Sequence, residues 1–276
     1  MDVLIVGAGS MGTWFGRAVE AAVAFADVDP DAAAAAADAV EGAEVAPLAP
    51  DGSDARDDYD VVCLAVPMAH VTDAIATHAS RAERAVVDVS GVMEPALEVM
   101  AEHAPDLERA SLHPLFAPER APGSIAVVRD AGGPTIDALL AGLEARGNEL
   151  IETTASEHDE AMETVQAATH AAVLSFALAA EPVPEGFETP IYEGLATLAE
   201  QMTEGTPRVY ADIQTAFDGA DAVSEAAESI AAADADEFES LYREAAATWQ
   251  ARDRDRRDGD ADAQTRETSD NGGDST

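Results

Sequence analysis

Asp2-Val3-Leu4-Ile5-Val6-Gly7-Ala8-Gly9-Ser10-Met11-Gly12 opens the chain, and its reading decides the fold. Val3–Val6 are four apolar residues in a row, the pattern of a strand buried on both faces of a parallel sheet. They run directly into Gly-x-Gly-x-x-Gly, and Thr13 to Glu20 can follow as a helix. Strand, glycine turn and helix together form the dinucleotide-binding fingerprint, which the glycines alone do not. Gly7 permits a tight turn, Gly9 lets backbone approach a pyrophosphate, and Gly12 lets helix and strand pack closely. Ser10 and Met11 complete the cofactor-binding turn, and the helix N-terminus beyond it offers free N–H groups and a partial positive charge to phosphate.

An acidic residue is expected about 20 positions on, at the end of the second strand, where it accepts hydrogen bonds from a ribose. Val23-Ala24-Phe25-Ala26-Asp27 supplies Asp27, 20 residues after Gly7. A carboxylate there repels the extra phosphate of NADP, and no arginine stands between Arg17 and Arg56 to bind one. NAD is therefore the expected cofactor. Asp29 is a second candidate, although the Pro30 that follows makes it a natural helix cap.

Working outward, apolar strand-like runs recur at Asp60–Val66, closed by Pro67, and at Arg84–Val89, closed by Ser90-Gly91. Shorter runs follow at Ile125–Arg129 and Glu149–Thr153. Helical stretches alternate with them, among them the alanine-rich Pro30–Val40. This alternation predicts an α/β fold: a doubly wound, mostly parallel Rossmann-type sheet over residues 1–153. The pattern then changes to helices without strands over 154–250, a second, all-α domain. The expected helices are Ser156–Ala180, Thr189–Gly205, Val209–Ala232 and Asp234–Gln250. Residues 251–276 are Asp, Arg, Gly and Ser with almost nothing apolar, the composition of a disordered acidic tail.

Composition removes several function classes. The 276 residues carry 55 acidic against 15 basic side chains, a formal charge of −40, which disfavours nucleic acid and anionic membranes as partners. All 15 basic residues are arginine. Without lysine there is no Tyr-x-x-x-Lys dehydrogenase pair, no Schiff base and no P-loop. An acidic, lysine-free surface on a chain that is 47% hydrophobic resembles adaptation to high salt, where screening relieves self-repulsion. The lone Cys63 sits in an apolar strand and reads as inert core. The first strand begins at once, without a basic leader, so a cytoplasmic location is expected.

Ligands in such sheets bind beyond the carboxyl ends of the strands. Three segments should converge there: Val66-Pro67-Met68-Ala69-His70, Asp88-Val89-Ser90-Gly91 and Ser111-Leu112-His113-Pro114-Leu115-Phe116-Ala117-Pro118-Glu119. His113, leaving a strand end between prolines, is the candidate acid/base, since histidine titrates near neutrality. The alternative is a structural loop histidine. His158, Met162, Gln166 and His170 recur every four residues, a slowly drifting stripe on a helix. Polar groups at three of the four positions suggest the lining of a cleft; a solvated face is the alternative. Their spacing is not that of a metal site, and no metal is expected.

Several of these motifs together resemble the prephenate dehydrogenase family: GAGSMGTWFG (7–16), the VP at 66–67, SLHPLFAPE (111–119), HDEAMETVQAATH (158–170), TPIYEGL (189–195) and TPRVYADI (206–213). Their order covers nearly all of residues 1–250. The resemblance implies a Rossmann domain with a helical dimerisation domain, hence a homodimer. It implies NAD-dependent oxidative decarboxylation of prephenate to 4-hydroxyphenylpyruvate. His113 would take a hydrogen bond from the C4 hydroxyl, and His170, Gln166 and Ser90 would line the substrate site. Two departures stand out. Ser90 lies one place earlier than the family's serine, and Met93 replaces a lysine. Gln201 occupies the position of a carboxylate-binding arginine, so Arg208, the only arginine between Arg146 and Arg243, is the candidate replacement. Arogenate, another small carboxylate or a non-catalytic NAD sensor are the rival readings. No fused mutase or regulatory domain is expected.

Overall fold

The computed structural model describes residues 1–49 and 58–270. Its first part alternates strands and helices: β1 (Asp2–Val6), α1 (Ser10–Ala18), β2 (Ala22–Ala26), α2 (Pro30–Ala39), β3 (Glu44–Val45), β4 (Tyr59–Leu64), α3 (Val71–His78), β5 (Ala82–Asp88), α4 (Glu94–His103), β6 (Glu108–Pro114), β7 (Ser124–Ala131), α5 (Pro134–Ala145) and β8 (Glu149–Glu152). The eight strands form one sheet in the order β3-β2-β1-β4-β5-β6-β7-β8. All neighbours pair in parallel except β6 and β7. The strand order reverses direction between β1 and β4, which opens a crevice at their carboxyl ends.

The continuous apolar runs are explained by cover on both faces. Val3 and Ile5 pack on one side with Phe15, Phe25 and Leu140, while Leu4 and Val6 pack on the other with Ile75, Met93 and Met100. Cys63 is fully buried in β4, and burial, aided by the charge of Asp88, pushes its thiol pKa up. It is an unreactive core residue.

One strand, β3, escapes the sequence reading, and another, β6, is implied there only by the strand end at His113. β3 is only two residues long. β6 begins with Glu108 and Arg109, charges that hide a strand from a search for apolar runs. Both are satisfied locally. Arg109 donates to Asp130 and to the carbonyls of Ala104, Pro105 and Leu107. Glu108 accepts from the backbone N–H groups of Thr135 and Ile136 at the start of α5, whose own N-cap is glycine.

Helices follow: α6 (Ala155–Met162), a π turn (Glu163–Ala168), α7 (Thr169–Ala179), α8 (Pro190–Thr203), α9 (Pro207–Ala216), α10 (Gly219–Ala232) and α11 (Ala235–Asp270). The expected single helix from Ser156 therefore contains a π turn. The expected helix over 209–232 is broken at Phe217, which is extended so that its ring joins Met162, Ala167 and Ile213 in a small apolar cluster. Burial of one aromatic ring outweighs the continuity of a helix there.

The chain forms two compact units, Met1–Ala220 and Asp221–Thr276. Within the second, Asp234 caps α11 by accepting from Asp236 and Glu237 N–H, while Glu237 accepts from Asp234 N–H. The helix continues through Asp270, into the stretch whose composition suggested a tail; no proline interrupts it. The last six tail residues, 271–276, lie outside the described residues. Among the described residues no helix is long and apolar enough to cross a membrane.

Candidate functional site

The glycine turn lies at the crevice. Gly7 has φ +103°, and a Cβ there would sit 2.3 Å from the carbonyl oxygen of Ala65, just after β4. A Cβ on Gly12 would meet the carbonyl oxygen of Gly7 at 2.0 Å. These positions admit only glycine. Gly9 differs: open space surrounds its Cβ position. It is also the N-cap of α1, with no side chain capping the helix and no carboxylate in the first turn. Space, free N–H donors at Ser10 and Met11, and a first helical turn without a carboxylate fit a diphosphate.

Asp27 follows β2 and faces this turn. Its carboxylate accepts from the N–H of Ala8 at 2.6 Å and of Asp29 at 2.9 Å. Two of its roughly four lone-pair sites stay free for a ribose. Asp29 is the N-cap of α2, accepting from Asp31 N–H at 3.0 Å, which accounts for it structurally. Val66 and Pro67 leave β4 beside Gly7, and Pro67 heads a short 3-10 turn through His70.

The second half of the site centres on His113, the penultimate residue of β6, paired with Ala126 of β7. Its Nδ1 lies 2.8 Å from His158 Nε2, and its Nε2 lies 3.3 Å from the amide nitrogen of Gln166. His158 Nδ1 in turn lies 2.7 Å from Asp159 Oδ1. Asp159 also accepts the backbone N–H groups of Met93 and Glu94, at 3.0 Å each, where α4 begins. Burial acts to raise the Asp159 pKa, but hydrogen bonds from His158 and from the two N–H groups outweigh it and leave it below its ordinary value. Burial, followed by the charge of His158, pushes the His113 pKa down to about 3, against a smaller opposing effect of Asp159. His113 is therefore an uncharged imidazole at neutral pH.

The loops after β4 and β5 close around this ring. A Cβ on Gly91 would lie 2.9 Å from Met68 Sδ and 3.5 Å from His113 Nε2. Asp88, at the end of β5, is fully buried, and burial pushes its pKa up to about 6 against hydrogen bonds from Ser90. Ser90 donates its N–H to this carboxyl, and its single hydroxyl hydrogen is shared between the carboxyl and Val92 O, the latter 2.9 Å from Oγ.

The stripe at four-residue spacing splits by role. His158 and Gln166 reach His113, Met162 enters the apolar cluster, and His170 stacks edge-on against Tyr210, ring centres 4.9 Å apart. The π turn puts extra residues into one turn, which offsets the drift that four-residue steps accumulate on an α-helix. Gln166 Oε1 and His170 Nδ1 are buried atoms without a hydrogen-bond partner. Arg208 is exposed and paired with Asp212 through Nε at 2.7 Å. The Tyr210 contact with His170 and the Asp159 contact to α4 are not legible in the sequence. The only signal was the His-Asp pair at 158–159, and spacing cannot say which ring His158 meets. Among the described residues no three His, Cys, Asp or Glu side chains gather to hold a metal.

Comparisons with known proteins agree with this architecture. No family model matches the chain. It is 34% identical over 179 residues to the 4-amino-4-deoxyprephenate dehydrogenase of Streptomyces pristinaespiralis. That match spans 60% of this chain and 60% of its relative. Among solved structures, the A. aeolicus prephenate dehydrogenase in complex with hydroxyphenyl propionate and NAD+ superposes with a TM-score of 0.63 at 14% identity, covering 98% of both chains. The Synechocystis arogenate dehydrogenase gives 0.57 at 16% identity, over 92% of this chain and 99% of the other. These structures share the fold: a Rossmann-type sheet followed by helices.

Proposed function

We propose that the protein is an NAD-dependent dehydrogenase of the prephenate type, oxidatively decarboxylating prephenate to 4-hydroxyphenylpyruvate. The observation that carries this reading is the buried, uncharged His113 at the end of β6, its Nε2 3.3 Å from the Gln166 amide nitrogen. Gly7, Gly9, Ser10, Met11, Gly12, Val66 and Pro67 would hold NAD, with Asp27 on its ribose. When bound, NAD supplies the hydride acceptor. His113 accepts a hydrogen bond from the C4 hydroxyl. As hydride leaves C4 that hydroxyl becomes strongly acidic, so even a weakly basic imidazole stabilises it. Carbon dioxide then leaves C1, the bonding electrons enter the ring, and the phenol oxygen keeps or regains the proton. Gln166, His170 and Ser90 line the substrate space. Arg208, whose terminal nitrogens are not used by Asp212, is the proposed carboxylate partner, since its fork matches that group.

A second substrate has a specific observation in its favour. The buried, partnerless Gln166 Oε1 is a further acceptor near His113 Nε2. A C4 amine, as in 4-amino-4-deoxyprephenate, has hydrogens for both acceptors, and a relative at 34% identity carries that name. Purified protein in molar KCl with NAD and, in parallel, prephenate, arogenate or 4-amino-4-deoxyprephenate decides between them by NADH formation. No NADH with any of the three would leave another small-carboxylate dehydrogenase or a non-catalytic NAD sensor as the readings. His113→Asn should lower kcat by about 10²–10⁴-fold with NAD affinity little changed. Wild-type turnover by that variant would remove His113 from the chemistry. A Rossmann domain over 1–153, a helical domain over 154–250 and a homodimer formed through the helices complete the proposal. Exposed Leu178 on α7 and Ile191 on α8 are apolar groups such an interface would cover.

A further inference from the structure

We propose that Asp159 and His158 are positioning residues that hold His113 in a single tautomer, with its hydrogen on Nδ1 and its lone pair on Nε2. The inference rests on the reading of His113 as the acceptor of the substrate's C4 hydrogen bond, and it adds what sets that acceptor.

The argument starts at backbone groups whose polarity is fixed. Met93 and Glu94 N–H, at the N-terminus of α4, can only donate, and both point at Asp159. The carboxylate, stabilised there by two N–H groups and a helix end, can only accept. Its Oδ1 is 2.7 Å from His158 Nδ1, so that nitrogen carries the hydrogen. At the other end of the chain of contacts, the Gln166 amide nitrogen can only donate, and at 3.3 Å it makes His113 Nε2 the acceptor. The uncharged His113 ring then carries its one hydrogen on Nδ1, 2.8 Å from His158 Nε2, which accepts it. His158 is buried, with 3% of its surface exposed, so water does not compete for these positions. The chain spans residues far apart in sequence and makes the tautomer of His113 depend on the seating of α6 against α4.

The experiment uses the full chain labelled with ¹⁵N-histidine, without substrate, in molar KCl at neutral pH. The His113 signals, assigned by their loss in His113→Asn, should show a protonated Nδ1 and an unprotonated Nε2. A hydrogen on Nε2 in the wild type would overturn the proposal. Asp159→Asn keeps the shape but offers one acceptor oxygen to three donors and adds two N–H groups of its own. It should mix the His113 tautomers and lower kcat by about 10–10³-fold, with KM and NAD affinity changed less than about threefold. An Asp159→Asn protein with wild-type kcat and an unchanged tautomer would also overturn it. If that variant does not fold, the wild-type spectrum alone decides. A wild type with the predicted tautomer that oxidises none of the three substrates would leave the relay standing and remove the proposed function instead.

Discussion

His113 and Asp88 lie on adjacent strands, and burial moves their titrations towards each other. His113 falls from about 6.5 in the unfolded chain to about 3 in the fold. Between those values the unfolded state binds the proton and the native state does not, so stability falls as pH falls from about 6.5 towards 3. Asp88 rises from about 3.9 to about 6, so in that window the native state holds the proton and stability falls as pH rises. Each group contributes a slope of at most about 1.4 kcal/mol per pH unit. Urea titrations across this range should show the effects separately. His113→Asn should lose stability less steeply than wild type on acidification, and Asp88→Asn should lose less on moving from pH about 4 to 6. Difference slopes of the opposite sign would refute the burial account of both groups.

At the scale of elements, the glycine turn and the π turn carry different kinds of information. The turn is legible because its constraints are local: residue 7 needs positive φ, and residue 12 must pass a carbonyl. Gly12→Ala forces a Cβ against the Gly7 carbonyl, which backbone cannot yield cheaply, and should cost at least the ~1–3 kcal/mol typical of overpacking, read from the urea midpoint. A cost below that range would mean that α1 shifts freely on β1. The π turn is not legible, because its residues, Glu-Thr-Val-Gln-Ala-Ala, suit an α-helix equally well. Its consequence is testable. Deleting the exposed Val165 removes the extra residue and rotates His170 relative to His158. Turnover should drop more than about 100-fold while the circular dichroism spectrum stays helical. Retained turnover would show that the register of the stripe does not matter.

For the whole molecule, charge is the dominant fact. A net −40 on 276 residues repels itself within a Debye length of about 10 Å at low salt and about 3 Å at molar salt. Few cations offset it. Arg84, Arg109, Arg129, Arg208 and Arg243 are each already paired with a carboxylate. The melting temperature should therefore climb by more than about 5 °C between about 0.1 M and molar KCl. A flat profile would mean that the surface charges are spaced widely enough to ignore one another.

The sequence by itself determined the features that depend on neighbours along the chain. These are the buried strands β1, β4 and β5, the glycine turn with Asp27 after β2, the cap at Asp29, and the candidates His113, Gln166 and His170. Strand burial, turn conformation and capping are short-range physics, visible in a window of a few residues. Only the tertiary structure decided which groups meet. His113 and His158 are 45 residues apart, and Asp159 reaches α4 across 66. Such pairings come from packing α6 against a finished sheet, and the protonation state of His113 follows from burial and from a chain of donors whose order no local pattern encodes.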